Sequence, residues 1–196
     1  MASTVKIRRE VERLIAALEG QLLRAEILAS SVESSLKAET FAAYRTFRIK
    51  VDELRCLSVL IEERFGYLFD EDVDFLRQQF ELLDVLLLTM IIRCYRQFFA
   101  ILAECRVLPL GAHEIFSPEL NILEDTRERL TRPIYASQIA DSLMADLEHA
   151  AEAIQAVIDR AAPLADFSDT DTSDGDFADL GQNSERDDDF RPLTLH

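Results

Sequence analysis

The chain contains no tryptophan and few helix breakers, with five glycines and five prolines in 196 residues. Only Gly20, Gly66 and Gly111 precede residue 163. Because the tight turns of β-hairpins depend on glycine, this scarcity predicts few hairpins. The common residues are leucine, alanine, glutamate and arginine, which are good helix formers. We therefore predict an all-α protein.

Cysteine and histidine are also scarce, with three of each. Cys56, Cys94 and Cys105 are odd in number, lie within helical patterns and form no Cys-x-x-Cys motif. We interpret them as reduced core thiols of an intracellular protein rather than as a disulfide scaffold. The first residues lead into charged side chains and not into an apolar segment, so no secretory signal is predicted. A cytoplasmic location is expected.

Positive charge is the third deficit, since 21 basic residues face 37 acidic ones and the net charge is −16. Phosphate binding needs clustered lysine and arginine, so the balance argues against nucleic acid as a direct partner. It also argues against an anionic membrane surface. Proteins are the partner class that remains.

Motifs of known chemistry are missing as well. The sequence has no phosphate-binding glycine loop, no His-Glu-x-x-His and no Gly-x-Ser-x-Gly. A di-iron bundle needs two Glu-x-x-His motifs, and the nearest approach is the single aspartate variant formed by Asp146 and His149. We predict no catalytic residues, no metal and no cofactor. A small helical enzyme or metal-binding protein using Asp146 and His149 is the alternative of another class.

Two long amphipathic helices are predicted before residue 66. In each, apolar side chains recur every three or four residues, which is the spacing of one helix face. The first helix opens at Ser3 or Thr4, and the second ends at Gly66. Because Lys37–Thr40 contains no glycine or proline, one long bent helix is the alternative. The predicted core positions are Ile7, Val11, Leu14, Leu18, Leu22, Ala25, Leu28, Val32 and Leu36, then Phe47, Val51, Leu54, Leu57, Ile61 and Phe65.

A third long helix is predicted from Asp70-Glu71-Asp72 to about Cys105, because acids stabilise the positive end of the helix dipole. Within it, Leu82–Ile92 is apolar nearly all round, which is typical of a central helix, an interface or a membrane span. A span needs about 20 apolar residues. This run has eleven residues and includes Asp84, so no transmembrane segment is predicted.

Two features of this helix admit more than one interpretation. Leu88 and Ile92 interrupt its polar face: either the following short helix covers them, or they contact a protein partner or a second subunit. Asp84 is expected to pair with an arginine, and Arg48 and Arg55 on the second helix are the candidates.

The rest of the body is predicted to hold one short and one long helix. Val107–Phe116 reads as a loop, Ser117-Pro118-Glu119 as the cap of the short helix, and Pro133 as the break before the last one. Four long helices and one short helix predict an antiparallel helical bundle, with coiled-coil-like packing, over residues 1–162. The core positions of the last helix are Ala136, Ile139, Leu143, Leu147, Ala150, Ile154, Val157 and Ala161.

A basic cluster on the first helix consists of Lys6, Arg8, Arg9 and Arg13. In one interpretation it is a solvated face balanced by the glutamates between these residues. In the other, it is a docking place for the acidic tail or for an acidic partner, through contacts that salt weakens.

Residues 163–196 are predicted to form a disordered acidic tail. They contain nine aspartates and one glutamate against two arginines, a net charge of −8. The pair Asp-Phe occurs three times, at Phe167, Phe177 and Phe190. Like charges keep such a chain open and its aromatic rings available to a partner, and repetition raises avidity. The alternative is a solubilising tail with accidental phenylalanine spacing.

Together these features favour a non-enzymatic interaction protein, an adaptor, scaffold or oligomerising bundle that presents the Asp-Phe tail. A chaperone or inhibitor covering a basic partner surface is the second hypothesis among binding proteins. The predicted partner-binding residues are Phe167, Phe177, Phe190, Leu88, Ile92, Arg8 and Arg9.

Overall fold

The computed structural model describes residues 2–34, 40–68, 73–136 and 138–161, and every regular element in this part of the chain is a helix. The all-α prediction is confirmed. The elements are α1 (Ala2–Ser34), α2 (Thr40–Phe65), α3 (Asp74–Glu104), α4 (Ala112–Leu130) and α5 (Asp141–Arg160), with a 3-10 helix at Pro133–Tyr135 between the last two.

Helices α1 and α2 form an antiparallel pair. Arg64 Nε, near the end of α2, donates to Glu10 Oε1 over 2.8 Å, near the start of α1. Lys50 Nζ, in the first half of α2, donates to Gln21 Oε1 over 3.1 Å. A single bent helix cannot bring these residues side by side, so that alternative is wrong.

Helix α3 lies at the centre and packs against α1, α2, α4 and α5. Its direction is opposite to that of α2, because the Phe65 ring lies 5.8 Å from Phe80 and the Tyr44 ring lies 3.8 Å from Phe98. Its central position accounts for most of the apolar circumference that the sequence predicts for Leu82–Ile92, although Leu82 and Leu86 stay exposed.

Helices α4 and α5 complete the alternation. Tyr95 on α3 contacts Glu119 early in α4, whereas Asp84, earlier in α3, contacts Arg129 at the end of α4, so α4 runs against α3. Helix α5 runs parallel to α3, because Leu147 packs on Ile92 and the Arg160 guanidinium donates to the carbonyl oxygens of Ala103 and Cys105. The five helices therefore form an up-down-up-down-up bundle.

The predicted apolar stripes face the core. Of the fifteen positions named for α1 and α2, Leu36 lies outside the described residues, and the other fourteen are buried or half-buried. At one end of the bundle the core is aromatic: Tyr44 stacks on Phe98 with an interplanar angle of 4°, and Phe99 meets Phe116 edge to face at 5.1 Å. Such pairs contribute about 0.5–1.5 kcal/mol beyond their buried area.

The start of α4 corrects the sequence prediction. Helix α4 begins at Ala112, after Gly111 with φ 73°, and not at Ser117-Pro118. Ala112 and Phe116 are 0% and 1% exposed, so the first turn is held by the core. Pro118 therefore lies inside the helix, where it lacks the N–H of a helical residue, and Ser117 Oγ donates to the His113 carbonyl over 2.6 Å.

One other boundary also differs from the prediction. Helix α5 begins at Asp141 and not near Ala136, because the 3-10 helix turns the chain first and buries Tyr135. Helix α5 ends at Arg160. Helix α3 begins at Asp74, and the predicted start, Asp70-Glu71-Asp72, lies outside the described residues.

Candidate functional site

Helices α2 and α4 run side by side without close backbone packing, and a cleft of about 750 Å³ lies between them. Ion pairs cross this cleft at several levels: Arg55 pairs with Asp125, and both Arg129 and Arg132 reach Glu62, at 2.9 and 3.0 Å. The cleft is lined by Asp52, Arg55, Cys56, Val59, Leu60, Glu62, Glu63, Asp125, Glu128, Arg129 and Arg132.

One buried polar cluster in this side of the bundle is centred on Glu119 of α4, which is 5% exposed. Arg48 Nε donates to both carboxylate oxygens, over 2.9 and 2.7 Å, and the Tyr95 hydroxyl donates to Oε2 over 2.5 Å. Arg48 also pairs with Asp52 one helical turn further along α2. These contacts satisfy the Glu119 carboxylate from two helices.

A second cluster of the same composition is centred on Asp84 of α3, which is 0% exposed. Arg129 Nη2 and the Tyr135 hydroxyl donate to its Oδ2, over 2.9 and 2.7 Å. The prediction that an arginine pairs with Asp84 is confirmed. The predicted partners are wrong, because Arg48 and Arg55 pair with Glu119 and Asp125 respectively.

The tyrosines of both clusters are held in their neutral form. Burial, and then the charge of Glu119, raises the pKa of Tyr95 well above its ordinary value. Burial, and then the charge of Asp84, raises the pKa of Tyr135 in the same way. Each hydroxyl is thus a hydrogen-bond donor fixed on a carboxylate. The two arginine–carboxylate–tyrosine clusters are suited to joining helices rather than to exchanging protons.

The three cysteines occupy different environments. Cys94 lies in the core, where burial raises the pKa of its thiol and opposes formation of the reactive thiolate. Cys105 is half-buried, and its Sγ donates to the Ile101 carbonyl. Cys56 is exposed at the cleft, so the prediction of a core thiol is wrong at this position. Cys56 lies on the solvent side of α2, where it lines the cleft and also a second depression beside Gln21 of α1.

Asp146 and His149 of α5 do not form a joint site in the structure. Asp146 Oδ1 accepts a hydrogen bond from Arg96 over 2.6 Å, and His149 is exposed. No group of three or more His, Cys, Asp and Glu side chains among the described residues is arranged to hold a metal ion.

Leu88 and Ile92 are buried, with 3% and 0% of their surface exposed. They form a small apolar cluster with Leu130 at the end of α4 and with Leu143 and Leu147 of α5. The packing agrees with the interpretation in which other helices cover them, with α5 contributing more than the sequence suggested. Neither side chain is available at the surface of the folded chain.

Helix α3 is also the one helix, among the described residues, that is long and apolar enough to cross a membrane. A stretch of 18 residues in it has a mean hydropathy of 1.7, and 56% of that stretch is buried inside the fold. Most of its apolar side chains pack against α1, α2, α4 and α5, whereas Phe75, Leu82 and Leu86 stay exposed.

Arg8 and Arg9 lie on the exposed surface of α1. Arg8 Nε contacts Glu12 Oε1 over 3.3 Å, and Glu10 turns instead to Arg64 of α2. Glu12 therefore neutralises part of the basic cluster, and Arg9 shares a surface depression with Lys6 and Arg13.

The outer face of α1 was missed in the sequence prediction. Opposite the core stripe, a second series of residues recurs every three or four positions and is exposed throughout. At its centre, the small residues Ala16 and Gly20 are followed by the large apolar residues Leu23 and Ile27, which are 68% and 71% exposed. The signal is present in the sequence, but the longer stripe of large residues on the opposite face obscures it. We call this series the α1 outer stripe: Lys6, Arg9, Arg13, Ala16, Gly20, Leu23, Ile27, Ser30 and Ser34.

The three tail residues Phe167, Phe177 and Phe190 lie outside the described residues. Their assignment to a partner stays a prediction.

Comparison with known proteins found no matching family model, no similar curated protein and no similar solved structure.

Proposed function

We propose that this chain is a non-catalytic, cytoplasmic interaction protein, an adaptor or scaffold whose helical bundle presents the acidic Asp-Phe tail to other proteins. The observation that carries the proposal is the bonding of the two buried carboxylates of the body, which hold helices together. Glu119 and Asp84 are each fixed by an arginine and a tyrosine, and these bonds join α2 to α4 and α3 to α4.

The tail supplies the recruiting element in this proposal. Its net charge of −8 opposes collapse, and the phenylalanines of the three Asp-Phe pairs are large apolar rings of the kind that contribute strongly to protein interfaces when buried. Each short motif binds weakly alone, so three copies strengthen binding to a partner that has more than one site.

The proposal is tested by affinity purification with the full chain and with a truncation that ends at residue 162. We expect the full chain to recover a set of proteins that the truncation loses. If both recover the same proteins, the tail is not the recruiting element. Circular dichroism of the truncation, with a helical spectrum and a cooperative melt, provides the control for its folding.

A chaperone or inhibitor that covers a basic partner surface is the second candidate, and the net charge of −16 favours it. The two candidates differ in their response to salt. Binding to a basic surface weakens strongly as salt rises from about 0.05 to about 0.5 M, because charges at the higher concentration are screened over a few ångströms. Binding anchored by phenylalanine rings persists at the higher concentration.

A further inference from the structure

The geometry points to the α1 outer stripe as a self-association surface, on which a second copy of this chain packs its own α1 in antiparallel orientation. The inference does not rest on the proposed function, because it concerns the body and not the tail.

The first observation is Gly20, in the middle of α1. Glycine in an exposed helix interior costs roughly 0.5–1 kcal/mol relative to alanine. Nothing in the fold requires it, because a Cβ added at Gly20 meets no atom within 4 Å. Small residues at four-residue spacing let two helices approach closely, and Ala16 lies four positions before Gly20. A second helix packed on this face would explain Gly20, because the missing side chain lets that helix approach closely.

The second observation is the exposed apolar surface beside the small residues. Leu23 and Ile27 continue the same stripe and are mostly exposed. With Gly20 opposite Leu23 of a second copy, an antiparallel pair places Ala16 opposite Ile27 of that copy. Each large side chain then faces a small one, and the match holds twice because the two copies are equivalent.

Charge favours the antiparallel orientation. A parallel pair brings Lys6, Arg9 and Arg13 of both copies together. In the antiparallel register, Arg13 instead lies opposite Ser30 and Arg9 opposite Ser34 of the other copy. The carboxyl end of a helix carries partial negative charge, so cations are stabilised there. The outer stripe is therefore complementary to itself in one orientation only.

The neighbouring helix also exposes apolar side chains. Arg93 of α3 bonds to Glu26 and Glu33 of α1, which places its face of α3 beside α1. Leu82 and Leu86 precede Arg93 by about three and two turns on that same face, and they are 52% and 59% exposed.

The area predicts a reversible dimer. The stripe from Arg9 to Ser34 is about 38 Å long, and a helix is about 10 Å wide, so the footprint is roughly 400 Å² per copy. A stable interface buries about 800 Å² per partner. We therefore expect the dimer to dissociate on dilution.

Sedimentation equilibrium over a range of concentrations tests the inference. We expect the mass of the wild-type chain to rise from 22.3 kDa toward twice that value as concentration increases. Two variants, Gly20→Leu and the double variant Leu23→Glu/Ile27→Glu, should stay at the monomer mass. The control is Ile49→Glu on α2, where the side chain is 56% exposed, and it should associate like the wild type.

Gly20→Leu separates an interface from a structural role. Leucine is a better helix former than glycine and its side chain meets open space, so dilute Gly20→Leu should melt at an equal or higher temperature while losing self-association. A wild-type chain that remains monomeric at every concentration overturns the inference. So does association of Gly20→Leu at wild-type strength.

Disulfide trapping tests the orientation, in a Cys56→Ser background that removes the exposed native thiol. Ser30→Cys alone should give no cross-linked dimer, because the two copies of residue 30 lie about 25 Å apart in the antiparallel register. Adding Arg13→Cys should give one. Cross-linking by Ser30→Cys alone contradicts the antiparallel orientation.

Discussion

The α2/α4 side of the bundle and the outer face of α1 both border solvent, but they differ in side-chain contacts. The first has paired charged side chains, and the second has exposed apolar ones. Between α2 and α4, arginines and carboxylates meet across the cleft, and Asp84 and Glu119 are fixed beneath it. On the outer face of α1, Leu23 and Ile27 stay exposed and Gly20 faces open space. The contrast teaches that charge joins helices on one side of the bundle, whereas the apolar surface on the other has no partner within the described chain and is the surface that we propose for self-association.

The largest expected effect comes from breaking the Asp84 cluster. Arg129→Met leaves the Asp84 carboxylate buried with only the Tyr135 hydroxyl as a hydrogen-bond donor. Removing one partner of a buried ion pair costs about 3–5 kcal/mol, and we expect that loss in the free energy of unfolding measured with urea.

Two further variants sharpen this result. Arg55→Met breaks a pair whose side chains are 29% and 56% exposed, and a pair of that kind contributes about 0–1 kcal/mol. The double variant Asp84→Leu/Arg129→Met removes both charges and should recover most of the stability. An Arg129→Met chain as stable as Arg55→Met would show that the cluster does not join the helices.

An intermediate effect is expected at alkaline pH. Burial raises the pKa values of Tyr44, Tyr95 and Tyr135 in the folded chain, whereas the unfolded chain ionises near pH 10. The stability of the fold is therefore fully present below about pH 10 and falls as pH rises above it. Each tyrosine that keeps its proton in the folded chain lowers the free energy of unfolding by up to about 1.4 kcal/mol per pH unit.

Urea unfolding at pH 8 and pH 11 measures this dependence. Tyr44→Phe should show a shallower loss than the wild type, because it removes one of the retained protons. Tyr67→Phe, at a side chain that is 61% exposed, is the matched control and should follow the wild type. A Tyr44→Phe chain with the wild-type slope would count against neutral buried tyrosines.

The smallest effect belongs to the outer face. Gly20→Ala should raise the free energy of unfolding by about 0.5–1 kcal/mol in dilute solution, because alanine lowers the entropy lost on forming a helix. Gly66→Ala is the comparison, since an added Cβ there lies 3.2 Å from the Glu63 carbonyl oxygen. If Gly66→Ala raised the free energy of unfolding and Gly20→Ala did not, this account of α1 would be contradicted.

The core faces could be predicted because one physical rule decides them. Residues such as Val11, Leu18 and Ile61 repeat at helical spacing, and each is 0% exposed in the fold. Boundaries depend on more than local pattern. Pro118 suggested a helix start, but the burial of Ala112 and Phe116 begins α4 earlier.

The polar clusters were predictable only in part. A carboxylate within an apolar run signals an ion pair, and this inference about Asp84 holds. Its partner, Arg129, lies 45 residues further along the chain on another helix, and sequence spacing carries no information about such a pair. The residues of the α1 outer stripe also recur at helical spacing, but the core stripe of larger residues on the same helix obscures this pattern.

The central claim is that this chain acts through surfaces it offers to other proteins, with the Asp-Phe tail as the recruiting element. Affinity purification with the full chain carrying Phe167→Ala, Phe177→Ala and Phe190→Ala tests it most directly, because the variant keeps the charge of the tail and removes only its rings. We predict that the proteins recovered by the wild-type chain are lost. Recovery of the same proteins at wild-type levels would contradict the account.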